Sequence, residues 1–162
     1  MAYLNRGACR GFTLVELVLM LTIVGVLAAV AAPRMVDRTA FQDHGAAAEV
    51  RTALRYAQKL AMAKNRDVCV TRTPAPSLAL SFSLTAGGGG ACASPVLRPD
   101  GGGNYVVTPP AGITLTSSLA VFRFNPQGQP VSNTGVLLNI VTTLTVGGSV
   151  PVTVTRETGY VQ

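Results

Sequence analysis

The chain has 162 residues, of which 48% are apolar and only 12% charged, and its formal net charge is +6. That length holds one small domain and an appendage, which excludes a large multidomain machine, and so low a charged share is unusual for a freely soluble protein. A basic excess this mild is ordinary for solubility and does not by itself call for a nucleic-acid partner.

Residues 1–11 are polar and basic, with Arg6 and Arg10 and no acid. A positive segment ahead of an apolar span stays on the cytoplasmic side. The rest of the chain is therefore expected across the membrane, in the periplasm of a Gram-negative cell. Residues 12–32 carry a single charge, Glu16. As a helix this run is about 31 Å long, close to the thickness of the hydrocarbon core, and Pro33 would kink or end it. A secretory signal peptide competes for the same run, since Ala29-Val30-Ala31 offers a small-residue cleavage site. The run is long for that purpose, however, and a signal peptide normally carries only positive charge beside its apolar core. A plain membrane anchor explains the length but not Glu16. A carboxylate in hydrocarbon costs about 2.5–3.5 kcal/mol, and such residues usually have a partner.

Residues 34–66 read as a second helical stretch. Asp37, Asp43 and Glu49 lie toward its start, and Lys59, Lys64 and Arg66 toward its end, as the helix dipole prefers. Val50, Leu54, Ala57, Leu60 and Ala61 mark one apolar face, and the many alanines predict close packing against a sheet. Arg51, Arg55 and Lys59 form a cationic stripe at i, i+4 and i+8. It is either a solvated face or a surface for a partner subunit or a polyanion.

From Asp67 the pattern switches to period two with β-branched residues. Expected strands are 68–71, 78–84, 105–108, 113–116, 121–125, 136–141, 144–146 and 150–156, with 160–161 as a last short one. Residues 126–130, Pro-Gln-Gly-Gln-Pro, carry turn chemistry. Residues 85–104, with glycines at 87–90 and 101–103, read as a flexible surface loop. No Gly-Lys-Ser/Thr follows and no helix opens after them, so the run does not have the context of a phosphate-binding loop. Of the three cysteines, Cys9 precedes the apolar run, and Cys69 and Cys92 follow it. In an oxidising compartment that pair can bridge, closing a loop of roughly 24 residues worth up to about 3 kcal/mol; the alternative is two separate buried thiols. The only histidine is His44, on the helical stretch. It is far in sequence from the acids of the β-region, so no metal site is expected, and no base stands ready to activate a Ser or Thr nucleophile. The reading is of a non-enzyme with no cofactor.

The segment Gly11-Phe12-Thr13-Leu14-Val15-Glu16-Leu17, with the apolar run behind it, resembles the cleavage and methylation motif of type IV pilins and type II secretion pseudopilins. The resemblance implies that a prepilin peptidase cuts between Gly11 and Phe12 and N-methylates Phe12, losing Cys9 with the leader. It also implies that Glu16 serves as an assembly registry charge, pairing with the amine of a neighbouring subunit. Such a use fits the best-attested role of buried ion pairs, which is to fix register. The helix pattern at 54–61 and the Arg66-Asp67-Val68-Cys69-Val70 that follows it resemble the GspH/FimT group of minor pilins and pseudopilins. Residues 41–44 and the Arg-Tyr-Ala-Gln-Lys run look most like the minor pilin of the mannose-sensitive haemagglutinin pilus system. Phe122-Arg123-Phe124-Asn125-Pro126-Gln127-Gly128 and Thr158-Gly159-Tyr160-Val161 resemble that group's hairpin and C-terminal strand.

The expected fold is α+β, with a long N-terminal helix packed on a C-terminal antiparallel β-domain. Its parts are a cleaved basic leader (1–11), a transmembrane first half of the helix (12–33), an amphipathic second half (34–66) and a periplasmic β-rich domain (67–162). The expected function is that of a minor pilin or pseudopilin, a structural subunit held in the inner membrane and then incorporated with other pilins into a type IV pilus or a type II secretion pseudopilus. Two alternatives stand beside it. One is a DNA-binding minor pilin for DNA uptake, against which stands the scarcity of basic residues near the C-terminus, where Arg123 and Arg156 are alone. The other is a single-pass periplasmic anchor protein.

Overall fold

A computed structural model describes residues 12–34, 38–72, 76–148 and 150–162, and the side chains among them outside 32–40. The leader expected at 1–11, including Gly11, lies outside the described residues. The chain divides into two compact units, residues 1–38 and 39–162.

The first unit contains helix α1, Leu14–Arg34. Its side chains from Phe12 to Ala31 are exposed on all sides. Such uniform apolarity is the pattern of a helix whose solvent is lipid rather than of one with a single face toward a core. The 18 residues Leu14–Ala31 have a mean hydropathy of 2.6, so α1 is long and apolar enough to cross a membrane. Thr22 Oγ1 donates to the Leu19 carbonyl at 2.8 Å, which satisfies its hydroxyl within the helix. Pro33 falls in the last turn of α1.

The second unit is built on helix α2, Arg38–Lys64. Its buried face is Ala46, Ala47, Val50, Ala53, Leu54, Ala57 and Ala61, a stripe at helical spacing that lets strand backbones approach closely. The sequence places the end of this stretch at 66, but α2 stops at Lys64. Asn65 takes a left-handed conformation, φ 50°, which a short amide side chain tolerates, and the strand begins one residue later.

Among the described residues nine strands follow: β1 (Arg66–Arg72), β2 (Leu78–Ala86), β3 (Ser94–Pro95), β4 (Val106–Val107), β5 (Leu115–Ser117), β6 (Val121–Phe124), β7 (Pro130–Ser132), β8 (Thr142–Val146) and β9 (Val150–Val154). Every pairing among them is antiparallel. A six-stranded sheet runs β3-β2-β1-β6-β7, with β4 also on β2, and a three-stranded sheet runs β5-β8-β9. In β8 and β9 alternate residues are buried, and Leu144, Val146, Val152 and Val154 are fully inaccessible. These side chains join Phe122, Phe124, Val68, Val70 and the α2 stripe in one apolar cluster. The fold is thus α+β.

Three expectations change. Residues 136–141 are not a strand. After β7 the chain turns back at Gly135 and residues 136–138 return beside it, with the Ser132 N–H donating to the Val136 carbonyl, the Leu138 N–H to the Pro130 carbonyl, and a single bridge at Val131↔Leu137. β7 is only three residues long, so past Leu138 the β-propensity of the run finds no further partner among the described residues. Pro130 is not turn but the first residue of β7, where the missing N–H is tolerated. Residues 85–104 are not a free loop, because they contain β3 and the bridge Leu97↔Asn104.

Candidate assembly site

The start of α1 is shaped by a four-residue pattern, Thr13-Leu14-Val15-Glu16. The Glu16 N–H donates to Thr13 Oγ1 at 3.2 Å, and the Leu17 N–H to the Thr13 carbonyl at 3.2 Å. Thr13 is therefore the N-cap and Glu16 the third helical residue, where the positive end of the helix dipole favours a carboxylate. The Thr-x-x-Glu spacing is a capping signature legible in the sequence, although reading Glu16 only as a membrane charge misses it. Phe12 stands immediately before the cap and is exposed. A cut ahead of Phe12 would put a new amine one residue before this cap, four residues from Glu16.

The cysteine pair is joined: Cys69 on β1 and Cys92 form a disulfide with Cα atoms 6.1 Å apart. It anchors the glycine run to β1, and a buried ion pair completes the anchorage. Asp67 and Arg123, on adjacent strands, are both buried, with Arg123 Nη1 3.6 Å from Asp67 Oδ2. Asp67 Oδ2 accepts the Gly89 N–H at 2.8 Å. Arg123 donates from Nη1 to the Gly90 carbonyl at 2.7 Å and from Nη2 to Asn133 Oδ1 at 3.1 Å. Arg123 Nε has no partner among the described residues. Gly88 shows why glycine is needed here. Its φ is +97°, and a Cβ would sit 2.8 Å from Asp67 Oδ1.

The cationic stripe separates into different roles. Arg55 donates from Nε and Nη2 to the Val161 carbonyl, at 3.2 and 3.0 Å, fixing the C-terminal residues to α2. One turn on, Gln58 Nε2 donates to the Gly128 carbonyl at 3.0 Å and to the Thr158 carbonyl at 2.8 Å. Gln58 thus bridges the β6–β7 turn to the turn before the C-terminal bridge Val154↔Val161. Gly159, at φ +68°, must lack a side chain, because a Cβ would collide with the Gly128 carbonyl oxygen. Lys59 is exposed and Arg51 half-buried; among the described residues neither forms an ion pair. Arg156 pairs with its neighbour Glu157 at 3.3 Å and donates to the Asn139 carbonyl at 3.1 Å.

A shallow groove of about 350 Å³ opens between α2 and the strands β2 and β3, lined by Tyr56, Leu60, Lys64, Phe82, Pro95 and Leu97. The Lys64 ammonium lies 5.1 Å from the Phe82 ring centre. Beside it Tyr56 stacks on Tyr105 at 5.2 Å, and burial pushes the Tyr105 hydroxyl pKa above 10.0, partly opposed by the Arg98 charge. His44 is exposed on α2, and no group of three or more potential metal ligands occurs among the described residues.

Residues 6–32 match the family description "Prokaryotic N-terminal methylation motif". Two curated relatives, each called "Fimbrial protein" from Pseudomonas aeruginosa, are 36% identical over 67 residues, or 41% of this chain. The chain spans 44% of their length. Among solved structures, two crystal forms of the Pseudomonas aeruginosa type IV minor pilin FimU superpose with TM-scores of 0.54 and 0.52 at 15% and 14% identity. They cover 74% of this chain and 86% and 90% of theirs. The likeness shows the fold, over a share of the chain far larger than the motif.

Proposed function

We propose that this chain, type IV pilin-like in its N-terminal motif and in its fold, is a minor subunit of a pilus or pseudopilus, held in the inner membrane until a prepilin peptidase cuts between Gly11 and Phe12 and methylates Phe12. The observation that carries the reading is the exposed carboxylate of Glu16 in the first turn of an otherwise uncharged span, directly behind a capped start. Such a carboxylate is costly in lipid unless a cation reaches it. The amine of Phe12 on an adjacent subunit is that cation once the leader is gone, and pairing of the two sets the axial register of packed α1 helices. Pro33 serves as a kink at the end of the lipid-embedded turns, and the globular part faces the periplasm. The disulfide suits that compartment. The name of the curated relatives favours a pilus over a secretion pseudopilus.

DNA uptake is the weaker reading. Near the C-terminus, Arg123 is buried against Asp67 and Arg156 is paired with Glu157, so both basic residues of that stretch are engaged. A mobility-shift assay at low salt would revive it by showing a salt-sensitive complex. The direct test of the main reading is mass spectrometry of the mature N-terminus. It should find methylated Phe12, and Glu16→Ala should leave processing intact while cutting incorporation into fibres at least about tenfold, the effect of losing roughly 1.4 kcal/mol of pairing. A chain ending at Met1 or cut after Ala31 sinks the proposal. A Glu16→Ala chain that assembles normally overturns the registry role of Glu16.

A further inference from the structure

Assembly through α1 makes no use of the groove between α2, β2 and β3, whose walls are held in place by their own contacts. Tyr56 is stacked on Tyr105, with ring centres 5.2 Å apart and planes 17° apart, and the Arg98 guanidinium lies 5.5 Å from the Tyr105 ring centre. Phe82, half-buried on β2, has the Lys64 ammonium 5.1 Å from its ring centre. Leu60, Pro95 and Leu97 complete an apolar lining, with Leu97 65% exposed at the rim. Rings and a proline are stiff, flat surfaces, so little side-chain freedom is lost when a ligand settles on them. The volume of about 350 Å³ falls at the lower end of the range for small-molecule sites, roughly 300–1,000 Å³.

The lining holds one charge, Lys64, and no acid. Lys64 is exposed and among the described residues forms no ion pair, so its approach to the Phe82 ring leaves the ammonium donors open to an anion. Its place in the last turn of α2, at the negative end of the helix dipole, works against a multiply charged ion. Arg98 does not add a second cation to the groove, because it donates from Nη2 to the Val106 carbonyl and lies over Tyr105. Such a setting serves a phosphate poorly. It matches a single carboxylate carried on a largely apolar, flat body, with the half-buried Ser94 hydroxyl as one further polar contact.

The geometry points to this groove as a binding site for a ring-shaped carboxylic acid, its carboxylate on Lys64 and its ring against Tyr56, Leu60 and Leu97. Two sources share that chemistry: aromatic acids, and the hexuronic acid units of acidic sugars, whose hydroxyls Ser94 can meet. The site gives the globular unit a ligand in addition to its neighbours in a fibre, and it stands whether or not α1 assembles.

The test is saturation-transfer NMR on the full chain in deuterated detergent, with the signal from empty micelles subtracted. Benzoate and methyl glucuronide are the probes, and benzyl alcohol and methyl glucoside are their uncharged counterparts. At least one acid should receive saturation on its ring protons, about fivefold or more above its uncharged counterpart. Benzoate alone identifies an aromatic acid as the ligand, and the glucuronide alone a sugar acid. Lys64→Gln should reduce the signal about fivefold or more, Lys64→Arg should keep most of it, and Leu97→Asp, which sets a like charge at the rim, should abolish it. Both positions are exposed, so these chains should unfold at the same denaturant midpoint as the parent. Saturation of the uncharged counterparts equal to that of the acids would overturn the proposal. So would a Lys64→Gln chain that holds the acids as well as the parent does, or no transfer to either acid.

Discussion

At the residue scale the molecule relies on a few polar groups whose partners are distant in sequence. Asp67 illustrates this. Its carboxylate faces the Arg123 guanidinium and also receives the Gly89 N–H, in a region inaccessible to water. Removing one member of such a pair leaves a buried charge uncompensated. Asp67→Ala should therefore destabilise the globular unit by about 3–5 kcal/mol in denaturant titration, whereas Asp67→Asn, which keeps an acceptor for Gly89, should cost less. Equal losses would show that the loss of charge beside Arg123 carries the whole effect and the retained acceptor for Gly89 contributes nothing. Tyr105 makes a second residue-scale case. Burial raises its pKa, so the folded chain holds the phenolic proton more tightly than the unfolded one. Its contribution to stability is complete below pH 10 and is lost as pH rises through the folded value. Absorbance titration near 295 nm should show one tyrosine ionising later than the others, and stability should decline over that same alkaline range.

At the element scale the sequence announces whatever repeats and conceals whatever is short or nonlocal. α1 and α2 follow from runs of apolar residues with helical spacing, and β1, β2, β6, β8 and β9 from alternation, because periodicity is a local property. β3 and β7 span two and three residues, too few to show a period, and each exists only because a longer strand offers it an edge. The run 136–141 has the composition of a strand but only the short β7 beside its first residues, so propensity alone misplaces it. The glycine run seemed slack because its order comes from Asp67, Cys69 and Arg123, none of which is nearby in sequence. Arg55 looked like part of a solvated stripe because its acceptor, the Val161 carbonyl, lies 106 residues away. By contrast the methylation motif matched over residues 6–32 is legible because such a motif is linear in sequence. The disulfide belongs to this scale as well. It pins the glycine run to β1, and loop-closure entropy gives it a value of about 3 kcal/mol. Cys69→Ser with Cys92→Ser should lower the unfolding free energy by roughly that amount, and hydrogen exchange should show the largest loss of protection at Gly89, whose N–H is held by Asp67. A uniform loss across β8 and β9 would mean that the bridge acts on the whole unit instead.

At the scale of the whole molecule the two units answer to different solvents. The apolar cluster of the second unit begins at Ala46 and ends at Val161, and among the described residues it draws on α2 and both sheets and on none of α1. The described side chains of α1 are exposed and gain their free energy from a bilayer or from other helices. The globular unit should therefore fold without α1. A chain beginning at Thr39 and made in an oxidising compartment should be soluble, retain the Cys69–Cys92 bridge and unfold in one cooperative transition. Its midpoint should lie within about 3 °C of that of the same unit in the detergent-solubilised full chain, since loss of an element outside the core changes stability by less than about 0.5 kcal/mol. Calorimetry reads this directly. A shift of ten degrees or more, or a broad transition with dye-binding surface, would show that the core depends on the membrane helix. Independence has a consequence for assembly. A substitution in either unit can then be read without disturbing the fold of the other.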